Sequence, residues 1–154
     1  MVPTAVEEIY SHARLVQQAF IYGDNKPFNV LLVIPDYLEI KKWFDENKSN
    51  PLFQDLLPFL DTAATDDASF EKIFHNETIL KEFMAELVRE GERTRGYERA
   101  VRFDILREPF SQDNNKLTPK MSMKRKVIVS EFGSLLEEIY KCNKGFELAK
   151  QVNN

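Results

Sequence analysis

At 154 residues, with 43% hydrophobic and 12% aromatic residues, the chain has apolar mass for one compact core and suits a single domain. Its 21 Lys+Arg against 25 Asp+Glu give a formal net charge of -4, which excludes a globally basic binder of nucleic acid or anionic membrane. One cysteine, Cys142, excludes an internal disulfide, and with only two well-separated histidines it leaves no zinc site, so a reducing intracellular compartment is expected.

Taken in order, Thr4 and Glu7 have the spacing of a capping box, which predicts a helix running to about Tyr10 or Ala13. Val16 to Tyr22 reads as a strand. Gly23, Asp24, Asn25 and Pro27 force a turn, and the apolar run from Asn29 to Ile34 lacks alternation, as expected of a strand covered on both faces. Pro35 ends it, and Asp36 with Glu39 signals the next helix, with Ile40, Trp43 and Phe44 facing inward. Trp43 at helical spacing is a core residue rather than a base-stacking ring.

From Asn47 to Phe70, Pro51, Pro58 and the polar run ATDDAS predict one short helix between loops, with a linker near Thr65 to Ser69. Asp66 and Asp67 lack a third oxygen donor and make no metal site. Asn76 is a candidate N-cap for a helix whose stripe is Ile79, Leu80, Phe83, Met84, Leu87 and Val88, stopping between Gly91 and Gly96. Val101, Phe103 and Ile105 then alternate with Arg102 and Asp104 as a third strand. After Lys126, Ile128, Phe132, Leu135, Leu136, Ile139 and Tyr140 form a final amphipathic helix that Phe146 and Leu148 extend or cap. Cys142 near its end is expected to be a buried or half-buried structural thiol, and His12 and His75 carry no motif. The expected class is α+β: a small three-stranded mixed sheet with a hairpin (strands near 16–22, 29–34 and 101–106), packed by about five helices.

The unusual chemistry lies in EPFSQDNNKLTPKMSMKRK, Glu108 to Lys126. The first hundred residues carry 11 Lys+Arg against 18 Asp+Glu, yet Lys116, Lys120, Lys124, Arg125 and Lys126 follow one another with no acid between them. Asp113, Asn114, Asn115 and Pro119 pin a non-helical backbone, with Met121 and Met123 as apolar anchors beside Lys124. A helix starting near Val127 or Ser130 would put Lys124 just before its N-terminus, where dipole and unpaired N–H groups favour anions. No GxGxxG or GxxxxGK[ST] occurs, so the chain lacks a phosphate cradle of its own.

The segment EPFSQDNNKLTPKMSMKR resembles the C-terminal signature of eukaryotic-type long-chain fatty acyl-CoA synthetases, members of the adenylate-forming, AMP-binding enzyme family. Two further stretches resemble it in the same order: VPTAVEEIY, like the segment after the family's hinge, and AFIYGDNKPFNVLLVIPDYLEIKKWFDEN, like its strand, turn, strand and helix. Residues 48–70 have no counterpart in the resemblance. Lys120 and Ser122 stand where relatives often read T and K, as in LTPTLKLKR.

The resemblance implies that residues 1–154 are the small, mobile C-terminal domain of a long-chain fatty acid–CoA ligase whose N-terminal ATP- and acyl-binding domain is absent. It places Lys124 on the catalytic lysine of acyl-adenylate formation, with Arg125 and Lys126 as phosphate contacts and Glu108 and Pro109 as structural residues. The implied ligands are ATP, Mg2+ and CoA in the full-length enzyme, none held stably by this domain alone, with fatty acid and CoA as substrates and the N-terminal domain as partner. The isolated chain is expected to be inactive, to bind no nucleic acid and to carry no transmembrane segment, for which the roughly 18 apolar residues are lacking. The parent enzyme is expected at the cytosolic face of an organelle membrane. The alternative function is a non-enzymatic module that binds an anionic surface or RNA through the basic loop 116–126.

Overall fold

A computed structural model describes residues 1–148. Six α-helices and four strands follow in the order α1 (Pro3–Ser11), β1 (Val16–Tyr22), β2 (Asn29–Pro35), α2 (Tyr37–Glu46), α3 (Pro51–Leu60), α4 (Asp67–Phe74), α5 (Glu77–Gly91), β3 (Ala100–Ile105), α6 (Arg125–Tyr140) and β4 (Phe146–Glu147), with a 3-10 turn at Gly96–Glu98. The sheet order is β1-β2-β3-β4: β1 and β2 form an antiparallel hairpin, β3 lies parallel to β2, and β4 is antiparallel to β3. The α+β class with a small mixed sheet is as expected, with the two-residue β4 as an added edge.

The apolar run in β2 explains the layering. All seven of its residues are buried. In the pleat Leu31 and Val33 point one way, into a core shared with Ala19, Ile21, Phe103, Ile105 and helices α1 to α5, while Val30, Leu32 and Ile34 point the other way. That second core contains Phe20, Phe110, Leu117, Ile128, Leu136 and Ile139, so α6 and the basic loop cover the opposite face. A strand wet on neither side is uniformly apolar, as its sequence indicated. Parallel pairing of β2 with β3 demands a long crossover, and α2 to α5 supply it.

Capping explains most helix starts. Asp36 accepts from Glu39 N–H and Asn76 from Thr78 and Ile79 N–H, as the spacing predicted. The 47–70 stretch differs from its reading as one helix and a linker, because Asn50 caps α3 with Pro51 at its first turn and Asp66 caps α4 through Ser69 N–H. Two caps make two helices. At the N-terminus the Thr4–Glu7 box does not form: Val2 is the N-cap and bonds no side chain, and Pro3 occupies the first turn, where a missing N–H costs nothing.

The end of α6 also departs from expectation. Cys142 is exposed, with φ +62, in the left-handed turn that closes the helix, so it is not a buried thiol. Gly145 follows with φ +81, and a Cβ there would come 2.8 Å from the Phe103 carbonyl. Phe146 therefore joins the sheet opposite Phe103 as β4 instead of extending the helix. Trp43 packs on the first core beside Phe44 and Phe53, as predicted.

One buried acid carries a consequence for stability. Glu86, 5% exposed, accepts a hydrogen bond from Leu15 N–H at 3.0 Å. Burial, reinforced by Glu82, pushes its carboxyl up to about 7, against the opposing pull of the Leu15 bond and Arg89. Between pH 4.5 and 7 the folded carboxyl keeps a proton that the unfolded chain has released, so stability falls as pH rises through that window. Glu86→Gln, neutral throughout, should flatten the decline and gain about 1–3 kcal/mol on wild type between acid and pH 8, read from urea denaturation at both ends. Parallel pH profiles for the two proteins would contradict this assignment.

Candidate functional site

After β3 the chain crosses the end of the sheet from the strand next to β4 to the opposite edge, and the basic loop makes that crossing. Two anchors fix it. The Gln18 side-chain amide of β1 donates to Phe110 carbonyl at 3.0 Å and accepts from Phe110 N–H at 2.8 Å, while Phe110 itself packs edge-on to Phe20. Asn114 accepts from Ser111 N–H at 2.9 Å and donates to Pro109 carbonyl at 2.8 Å and to Glu108 at 3.1 Å. Glu108 and Pro109 are thus structural, and the turn-forming asparagine closes the loop on itself.

From Lys116 to Lys124 the backbone folds into a small hairpin. Leu117 bridges Met123, Thr118 N–H donates to Ser122 carbonyl at 2.8 Å, and Lys124 N–H donates to Lys116 carbonyl at 2.8 Å. Asn115 and Met121 take φ values of +64 and +66 to close it. Leu117 is buried and Met123 packs on the second core, whereas Met121 is 61% exposed and is not the anchor its sequence suggested. The hairpin delivers Lys124 as the N-cap of α6, which starts at Arg125, ahead of the Val127 or Ser130 expected from the sequence.

The five cations of this stretch have different fates. Lys116 is buried, its ammonium 2.8 Å from Glu131 and over the Phe132 ring. Arg125, in the first turn of α6, makes a two-pronged ion pair with Glu7 of α1 and lies 5.3 Å over the Phe20 ring. Lys120 and Lys126 are exposed. Lys124 is half-exposed, and its ammonium donates to the neutral amide oxygen of Asn115 at 2.5 Å. Among the described residues Lys124 forms no salt bridge, so its charge is not cancelled within the fold. Two of the five positive charges are spent on Glu131 and Glu7, which weakens the loop as a polyanion-binding patch.

Beside Lys124 lies an open groove of about 360 Å³ whose lining includes Glu7, Gln18, Ala19, Leu117, Met123 and Arg125. The residue that sequence reading missed is Glu7. Its spacing from Thr4 imitates half of a capping box, yet Val6 and Tyr10 flank it on the buried side of α1, and an acid on an inward stripe signals an internal partner. His75 sits against Phe146, and His12 is exposed. No group of three or more His, Cys, Asp or Glu side chains converges among the described residues. Among them no helix is long and apolar enough to cross a membrane.

A family model described as the AMP-binding enzyme C-terminal domain matches residues 1–113. Long-chain-fatty-acid–CoA ligase 1 of Cavia porcellus is 26% identical over 141 residues, covering 90% of this chain and 18% of the ligase. Long chain acyl-CoA synthetase 3 of Arabidopsis thaliana is 26% identical over 150 residues, covering 93% and 19%. The chain thus spans about a fifth of the length of these curated relatives. Among solved structures, the adenylation domain of a carboxylate reductase from Mycobacterium chelonae superposes with a TM-score of 0.62 at 17% identity, over 92% of this chain and 18% of that one. A carboxylic acid reductase A domain from Segniliparus rugosus, in complex with AMP and a co-purified carboxylic acid, gives 0.62 at 19% identity over 94% and 18%. At these identities the two structures establish the shared fold.

The loop's closure through Asn114 has a measurable cost. Asn114→Ala removes three side-chain bonds and should lower stability by about 1–2 kcal/mol, with faster amide exchange confined to residues 108–117. Unchanged exchange in that segment would contradict the assigned role.

Proposed function

The chain belongs to the AMP-binding enzyme C-terminal domain family, and from that premise we propose that it is the small mobile domain of a long-chain fatty acid–CoA ligase that supplies Lys124 for acyl-adenylate formation. In this reading a fatty carboxylate attacks the α-phosphorus of ATP, releasing pyrophosphate, and CoA thiol then displaces AMP. Negative charge grows on the phosphoryl oxygens during the first step. Lys124 meets that charge as a donor carried on a rigid base. The larger domain, outside this chain, binds ATP, Mg2+ and the acyl group.

The observation that supports this reading best is the contrast between Lys124 and its neighbours. Lys116 and Arg125 are tied to acids of their own fold, whereas Lys124 rests on an amide it can leave at little electrostatic cost. It also sits at the N-cap of a 16-residue helix, whose free N–H groups favour the same anion. With Arg125 engaged by Glu7, exposed Lys126 is the better candidate of the two for a phosphate contact. For the second step the domain turns on the larger one and withdraws Lys124, which gives CoA access to the adenylate. In this reading the acyl and nucleotide pockets belong to the larger domain, and this chain by itself is inactive.

Losing one well-aimed donor to a transition-state oxyanion costs about 3–4 kcal/mol. In the full-length protein, Lys124→Ala should therefore slow adenylate formation by about a hundredfold to a thousandfold while sparing thioester formation from supplied acyl-adenylate. Pyrophosphate release and CoA-dependent AMP release, assayed separately, give the two rates. An equal fall in both, or in neither, would remove Lys124 from this role.

A further inference from the structure

Glu7 is 5% exposed and its carboxylate is shared among three structural elements. Oε2 accepts from Ile21 N–H of β1 at 2.8 Å and from Arg125 Nη1 at 2.9 Å, and Oε1 accepts from Arg125 Nη2. Ile21 faces Leu31 across the hairpin, but its N–H turns outward to Glu7, so the acid closes the exposed edge of β1 at that point. The guanidinium in turn stacks over Phe20, whose ring belongs to the core beneath α6. A cation in the first turn of a helix opposes the helix dipole. Glu7 offsets that conflict and fixes the direction from which α6 departs.

We propose that Glu7 is a positioning residue: through Arg125 it clamps the junction of loop and helix to β1, and so sets where the Lys124 ammonium can reach. The proposal rests on the reading of Lys124 given above. Arg125 adjoins Lys124 in sequence, and the fork geometry fixes the guanidinium in both distance and plane. Two further tethers of the junction, Lys124 N–H to Lys116 carbonyl and the Lys116–Glu131 ion pair, hold hairpin and helix together but do not join them to α1 or β1. Without the Glu7 carboxylate the hairpin and first turn of α6 lose their charged attachment to the rest of the domain. Gln at position 7 still accepts from Ile21 N–H, so the substitution removes the charge and the fork while leaving the strand edge satisfied.

The test uses the full-length protein carrying this chain, with wild type, Glu7→Gln, Arg125→Gln and the double variant compared by hydrogen exchange and by the two half-reactions. Glu7→Gln should raise exchange in residues 116–130 while leaving 77–105 unchanged. It should also slow adenylate formation by about tenfold to a hundredfold, the range for a displaced catalytic group, with little change in KM and thioester formation spared. In the Arg125→Gln background the Glu7→Gln substitution should add little, since both act through one contact. If Glu7→Gln gives no folded protein, Arg125→Lys, which keeps the charge and loses the fork, should show the same segment-specific exchange and the same split between half-reactions.

Unchanged exchange at 116–130, or equal slowing of both half-reactions in step with lost stability, would overturn the clamp. If exchange rises as expected but Lys124→Ala leaves adenylation intact, the clamp holds and the role of Lys124 falls. If Lys124→Ala slows adenylation and Glu7→Gln does not, the clamp falls alone.

Discussion

The rest of the structure follows from the burial of β2 on both faces. A strand that exposes no side chain to water must be covered twice, and a chain of this size meets that demand with one long excursion on each side. The first, α2 through α5, returns as a parallel strand. The second begins where β3 ends and has to regain the opposite edge before α6 can lie across the sheet. The basic loop is that traverse, which is why a segment rich in turn residues is nonetheless ordered by bonds to Gln18, through its own Asn114, and from Arg125 to Glu7.

This routing turns a charge-rich sequence into a selective arrangement. In a solvated tail five cations would act together, as a diffuse attraction for any polyanion. Here the fold assigns them separately: Lys116 to Glu131 and a ring, Arg125 to Glu7 and a ring, Lys124 to an amide at a helix start. The two neutralised cations build the platform. Lys124 meets no acid among the described residues, and its base is held to both α1 and β1. Such an arrangement suits a donor that must arrive in one geometry and then leave, because orientation rather than net charge carries the specificity.

Much of this was legible in the sequence, for reasons that differ by element. The unbroken apolar run of 29–34, the stripe from Ile79 to Val88 and the Asp36 and Asn76 caps are local signals, and each formed as read. Glu7 was not legible as a clamp, because its partners Ile21 and Arg125 lie 14 and 118 residues away and its spacing from Thr4 imitates a cap. Pairing with Phe103, not any pattern of its own, makes Phe146 a strand. Met121 and Cys142 were misplaced because left-handed backbone turned each outward, and neither residue type announces that conformation. Resemblance alone singles out Lys124, while its want of an acidic partner among the described residues shows only in three dimensions.

The most direct measurement is the position of the Lys124 ammonium in crystals of the full-length protein holding an unreactive acyl-adenylate analogue. With the small domain closed on the larger one, the account expects Nζ to have left Asn115 and to lie about 3 Å from a carboxyl or phosphoryl oxygen of the ligand. Lys124 still bonded to Asn115 in that closed state, with a different cation against those oxygens, would contradict it.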